Sequence, residues 1–170
     1  IKLNTNESPF PPREEIIRKA EQIVRNYNLY SDPSLTMLRE SISKYYGVDK
    51  ECVTCSNGSD ELLLFSFLAF GDRDNGIVSS DITYSFYSTL TALLNIPLNE
   101  VQLDESFKIQ IEELKERAGT IVIANPNAPT GIALKREEIE SLVSSNQNRI
   151  VIVDEASVDF GGESSVPLTR

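Results

Sequence analysis

Two short apolar runs, Ile121-Val122-Ile123-Ala124 and Ile150-Val151-Ile152-Val153, constrain this chain more than any other feature, because neither alternates with polar residues. A strand that is apolar on both faces must be covered on both, as in a parallel sheet held between helices. Between the two runs, Arg136 to Val143 has helical spacing, so the pair reads as strand, crossover helix, strand. The same switching of period recurs upstream, with a strand at Ile77-Val78, a helix near Ser85 to Leu94, a strand around Val101 and a helix from Ile109 to Arg117. The fold expected is α/β, a three-layer sandwich around a mainly parallel sheet, with room for antiparallel edge strands.

Earlier still, Ile16, Ile17, Ala20, Ile23 and Val24 mark an amphipathic helix, and Leu35, Leu38, Ile42 and Tyr45 mark a second one that Gly47 closes. Val53 is expected to begin a brief strand. The segment Leu62 to Phe70 lacks a clean polar face, which predicts a largely buried helix packed on two sides, beneath the sheet or in a subunit contact. No repeat or low-complexity linker divides the chain. The loop-like Gly161-Gly162-Glu163-Ser164-Ser165 has no closing element after it, and the first residue is not Met, so a fragment of a longer protein is expected.

Composition removes several chemistries. The 170 residues, 40% of them hydrophobic, suffice for a sizeable core without staples. A formal charge of −10 with no basic patch disfavours nucleic acid and anionic lipid as partners. The absence of His excludes His-based zinc sites, a Ser/His/Asp triad and a Cys/His pair. Cys52 and Cys55 have dithiol spacing, but the near charge is acidic and no third soft ligand exists, so they are expected to be buried or half-buried thiols, and no metal is expected. With no signal-like start and no apolar stretch near the roughly 18 residues that span a bilayer, a cytoplasmic protein with reduced thiols is expected.

Ligands of parallel sheets bind beyond the carboxyl ends of the strands, which directs attention to three polar segments. In Ser56 to Glu61, Gly58 permits a sharp turn and Ser59 stands at a helix start, a combination that serves either an anion or an ordinary cap. Asn125-Pro126-Asn127-Ala128-Pro129-Thr130-Gly131 is a rigid turn that either holds a ligand contact or simply joins strand to helix. Asp154, carried to the end of a buried strand, needs a partner: a protonated ring nitrogen, Mg²⁺, an Arg or backbone donors. A nucleotide-bound Mg²⁺ is disfavoured, since no GxxxxGK[ST] loop is present.

Taken in order, Leu3-Asn4-Thr5-Asn6-Glu7-Ser8-Pro9-Phe10, Asn57-Gly58-Ser59-Asp60-Glu61, Thr83-Tyr84-Ser85-Phe86-Tyr87, Asn125 through Gly131 and Val153-Asp154-Glu155-Ala156 resemble the fold-type I pyridoxal-phosphate aminotransferases, closest to the histidinol-phosphate branch. The resemblance covers nearly the whole chain but only the front half of a family member. It implies pyridoxal 5'-phosphate as cofactor and a division into an amino-terminal arm and helix over 1–33 and an incomplete cofactor-binding large domain over 34–170, with the small carboxyl-terminal domain absent. It implies that Asp154 pairs with the pyridinium nitrogen, that Tyr84 stacks on the ring, and that Gly58, Ser59 and Asp60 form the phosphate turn. Tyr30 resembles the tyrosine that reaches the phosphate of a neighbouring subunit, which implies a homodimer with shared sites. Asn6 and Glu7 resemble the segment that closes over substrate, although such a pair also fastens a first turn.

Three departures accompany the resemblance. The ring-oxygen donor expected just before Pro129-Thr130-Gly131 is replaced by Ala128, which leaves Asn127, one position early, as the candidate cofactor contact. Ser157 stands where the family commonly has Tyr. The Schiff-base lysine belongs some tens of residues beyond Asp154, and none of the chain's lysines fits its motif. The implied parent reaction transfers an amino group between a donor such as histidinol phosphate and 2-oxoglutarate, with the fragment alone inactive. Another amino-acid aminotransferase and a noncatalytic α/β subunit are the competing readings.

Overall fold

The computed structural model describes residues 7–145 and 147–169. Four strands form one sheet: β1 (Ile77–Ser80), β2 (Leu98–Val101), β3 (Thr120–Ala124) and β4 (Val151–Asp154). Their order is β2-β1-β3-β4, and every pairing is parallel, with Ile77 opposite Leu98 and Ala124 opposite Asp154. The antiparallel edge allowed by the sequence is not used by any of these strands.

β3 is buried along its whole length, and its residues divide between two cores by strand alternation. Ile121 and Ile123 face a cluster with Leu114, Ile139 and Leu142, from helices α5 (Ile111–Glu116) and α6 (Arg136–Ser145). Val122 and Ala124 face the other cluster, with Leu63, Phe67, Tyr87 and Leu90 from α3 (Ser59–Phe70) and α4 (Phe86–Leu94). This is the three-layer arrangement expected of a sheet whose central strands are apolar on both sides. Each fully buried side chain of this size contributes about 1.5–3 kcal/mol.

The edge strands differ. β2 exposes Asn99 and Glu100, whereas β4 is half-buried throughout despite its apolar sequence, because only one neighbouring strand covers it. The amino-terminal helices α1 (Glu14–Val24) and α2 (Thr36–Tyr46) form where the spacing predicts but bury no residue. Gly47 ends α2 in the left-handed conformation, φ 68°, which a residue without Cβ adopts at little cost.

Two expectations need correction, and a third is met in part. The strand at Val53 is absent: Asp49 accepts from the Glu51 amide at 2.9 Å and caps a 3-10 turn over Lys50–Cys52, and Val53 follows as an extended, buried residue with no partner strand. That turn leaves Cys52 exposed rather than buried, with Cys55 half-buried. Within this single chain the Leu62 to Phe70 helix is covered on one side, since Leu63 and Phe67 face the core while Phe65, Leu68 and Phe70 are about half exposed, so the sheet does not supply the second covered side. Among the described residues, no helix is long and apolar enough to cross a membrane.

Candidate active site

The chain leaves β1 for β2 on one side and then returns to place β3 on the other, so the strand order reverses between β1 and β3. A crevice opens at the carboxyl ends of strands at such a switch point, because the flanking loops diverge in opposite directions. The loop after β1 brings Thr83 and Tyr84 there, and the loop after β3 brings Asn125 to Gly131. β4, next to β3, ends on Asp154 at the same edge of the sheet.

Asp154 is held at three atoms. The Asn125 amide donates to its main-chain carbonyl at 2.9 Å, the Ala156 amide donates to Oδ1 at 3.1 Å, and the Tyr87 hydroxyl donates to Oδ2 at 2.9 Å. Tyr87 lies on α4 and is almost wholly buried. Its ring meets the ring of Tyr84 edge-on at 5.8 Å, and the Tyr84 hydroxyl donates to Asp60 Oδ1 at 3.0 Å. A continuous path of contacts therefore runs from Asp60, in the first turn of α3, through Tyr84 and Tyr87 to Asp154.

The start of α3 suits an anion. Gly58, at φ 88° and ψ 172°, stands in a region that L side chains rarely enter, and a Cβ placed there would meet nothing within 4 Å, so its outward side is open. The first amides of a helix lack partners within the helix and carry the positive end of its dipole. Glu61 turns back to accept from the Asn57 amide at 2.8 Å, and Asp60 turns toward Tyr84, so both carboxylates already have hydrogen-bond partners at this turn. Ser59 is exposed beside them.

The turn after β3 is fastened by its own asparagines. Asn125 Oδ1 accepts from the Leu134 amide at 2.8 Å and Nδ2 donates to the Leu134 carbonyl at 3.3 Å, which closes the loop. Asn127, 1% exposed, donates to the Ile82 carbonyl at 2.9 Å and to Thr130 Oγ1 at 3.1 Å, and accepts from Thr83 Oγ1 at 2.8 Å. Its carboxamide ties the loop after β1 to the loop after β3, a structural use of the residue singled out as a ring-oxygen donor. Ala128 and Ser157, the two departures from the family pattern, share one hollow of about 190 Å³ that also touches Phe160. Their short side chains leave it open.

Of the remaining candidates, Tyr30 is fully exposed between α1 and α2, and Glu7 is exposed at the start of the described chain. At full exposure, Tyr30 is not enclosed by the crevice within this chain. Asn6 lies outside the described residues. Glu155, adjacent to Asp154, points elsewhere: its carboxylate accepts from the Ser164 hydroxyl at 2.8 Å and from the Ser165 amide, which anchors the carboxyl-terminal segment.

The sequence pattern characteristic of aminotransferase class I and II matches residues 1–169. The chain belongs to this family. A relative from Clostridium botulinum, a histidinol-phosphate aminotransferase, is 45% identical over all of this chain but only 48% of its own length. The chain thus spans about half the length of the curated relatives it matches. Two solved histidinol-phosphate aminotransferases share the fold: that of Sinorhizobium meliloti, determined with pyridoxal-5'-phosphate, at TM-score 0.82, 19% identity and coverage of 89% of this chain and 42% of that one, and that of Clostridium acetobutylicum at TM-score 0.80, 23% identity and coverage of 91% and 47%. At those identities the likeness is one of fold.

The sequence alone assigns no role to Tyr87 in Thr83-Tyr84-Ser85-Phe86-Tyr87. The available signal was its spacing of three from Tyr84, which sets both rings on one side of the turn entering α4. Burial first, and then the negative charge of Asp154, raise the Tyr87 hydroxyl far above its usual value near 10. Burial and the bond to Asp60 raise Tyr84 as well. A phenol whose pKa is higher folded than unfolded stabilises the fold fully below the unfolded value and loses that contribution as pH rises above it. Absorbance titration of the phenols is therefore expected to show Tyr84 ionising later than a free tyrosine and Tyr87 ionising only as the fold opens, with stability falling above about pH 10. Ionisation of Tyr84 and Tyr87 at the value of a free phenol, about pH 10, in a still-folded protein would contradict this site.

Proposed function

We propose that the complete protein is a pyridoxal-phosphate aminotransferase that moves an amino group between a donor such as histidinol phosphate and 2-oxoglutarate. The observation that carries the reading is the path of contacts from the start of α3 through Tyr84 and Tyr87 to Asp154. It gathers an open helix start for a phosphate, an aromatic face for a ring and a carboxylate for a ring nitrogen. The donor set fits the cofactor, and the names of the 45%-identical relatives favour the phosphorylated amino donor.

When bound, pyridoxal phosphate supplies an electron sink that makes loss of a substrate α-proton accessible. The chain's part is to hold that group in place. The amides following Gly58 and the Ser59 hydroxyl would grip the phosphate oxygens, with Asp60 contributing its amide while its carboxylate fixes Tyr84. Tyr84 would cover one face of the ring and exclude water. Asp154 would hold a proton on the ring nitrogen, which a half-buried carboxylate does at the cost of needing donors of its own. Asn127 would set the spacing of the two loops around the ring.

Replacing Asp154 with Ala in the complete protein removes the counter-charge of that proton. Amino transfer is expected to fall by orders of magnitude while far-ultraviolet circular dichroism is retained, and near-normal turnover would exclude the role.

The proposal extends to a homodimer with shared sites, in the cytoplasm with both cysteines reduced. Its support is the fully exposed Tyr30 and the apolar residues of α1, α2 and α3 left uncovered in a single chain. Asn6 and Glu7 would close over the substrate. Mixing a Tyr30→Ala variant with one lacking the cofactor-linking lysine is expected to recover part of the activity, because one composite site per mixed dimer is intact. Inactivity at every mixing ratio would count against shared sites.

A further inference from the structure

We propose that Tyr87 is a positioning residue, fixing the Asp154 carboxylate so that one oxygen remains directed at the cofactor's ring nitrogen. The inference rests on the aminotransferase reading above and goes beyond it by assigning how the acid is oriented.

Asp154 sits at the end of a strand, where only the main chain is fixed by the sheet. Its carboxylate is free to turn about the side-chain bonds unless both oxygens are held. The Ala156 amide takes Oδ1 at 3.1 Å, a local contact that any residue in this turn can make. Tyr87 takes Oδ2 at 2.9 Å from 67 positions away. The two donors together set the plane of the carboxylate. An ionised carboxyl group offers about four lone-pair positions, so two are left for a further donor.

Tyr87 suits this task because its own position is determined by packing. It is 1% exposed, its ring centroid is 6.2 Å from that of Phe67 and 5.8 Å from that of Tyr84, and it belongs to the core cluster of α3, α4 and β3. A tyrosine so enclosed has one place to put its hydroxyl. Burial together with the facing Asp154 keeps that hydroxyl protonated, hence a donor, across the whole neutral range. The same ring is the spacer between Tyr84, which would cover the cofactor, and Asp154, which would meet its nitrogen.

The complete apo-protein supplies the test, using pyridoxamine phosphate, which makes no covalent link, and its carbocyclic analogue in which C–H replaces the ring nitrogen. Tyr87→Phe keeps the ring and removes only the hydroxyl. It is expected to weaken pyridoxamine phosphate about tenfold, as for loss of a hydrogen bond to a charged group, and to leave the analogue within about twofold. Unchanged affinity for the analogue also verifies that the fold survives. Equal weakening of both ligands would reduce Tyr87 to a packing residue, and unchanged or tighter binding of pyridoxamine phosphate would overturn the proposal. Asp154→Asn separates the two levels. If that variant discriminates between the ligands and Tyr87→Phe does not, the Tyr87 assignment alone falls, whereas if Asp154→Asn fails to discriminate, the reading of Asp154 itself falls.

Discussion

The structure turns on a carboxylate that a strand delivers to a half-buried position and that must be satisfied there by donors. Removing such a group from water costs several kcal/mol unless hydrogen bonds replace the lost hydration. Asp154 receives the Tyr87 hydroxyl and the Ala156 amide, and its main chain is clamped to Asn125. The position of α4 against the sheet, and the loop that precedes it, are both coupled to that satisfaction. A cationic ring N–H would complete it.

The sheet order explains why these groups meet. β1 and β3 are neighbours although β2 separates them in sequence, so their loops diverge around one crevice. Asn127 bridges that crevice by bonding Ile82 and Thr83 from one loop and Thr130 from the other. Helix α3 packs on the same face as α4, which brings its first turn to Tyr84. The proposed function rests on three non-local placements, each supported by side chains whose partners are already assigned.

What the sequence conveys and what it withholds divide along the range of the interactions. β3 and β4 were legible because continuous β-branched runs need cover on both faces, and the end of α2 was legible because Gly47 suits a left-handed cap. The absent strand at Val53 shows the limit of that logic, since β-propensity has no effect without a neighbouring strand to pair with. The exposed face of α3 shows another, because an apolar surface does not specify what covers it. Asp154 was recognisable as an acid in need of a partner. Its partner Tyr87 was not, because nothing local links residues 67 positions apart. The loop-bridging bonds of Asn127 were not legible either, since its partners Ile82 and Thr83 lie more than forty residues upstream.

The central claim is that Asp154 meets a protonated ring nitrogen. Nuclear magnetic resonance of the complete protein loaded with pyridoxal phosphate carrying ¹⁵N in the ring tests it directly at neutral pH. The account predicts a protonated nitrogen, seen as a chemical shift in the pyridinium range with a directly bonded proton, and loss of that signature when Asp154 is replaced by Ala. An unprotonated nitrogen in the unaltered protein, or a protonated one indifferent to Asp154, would contradict it.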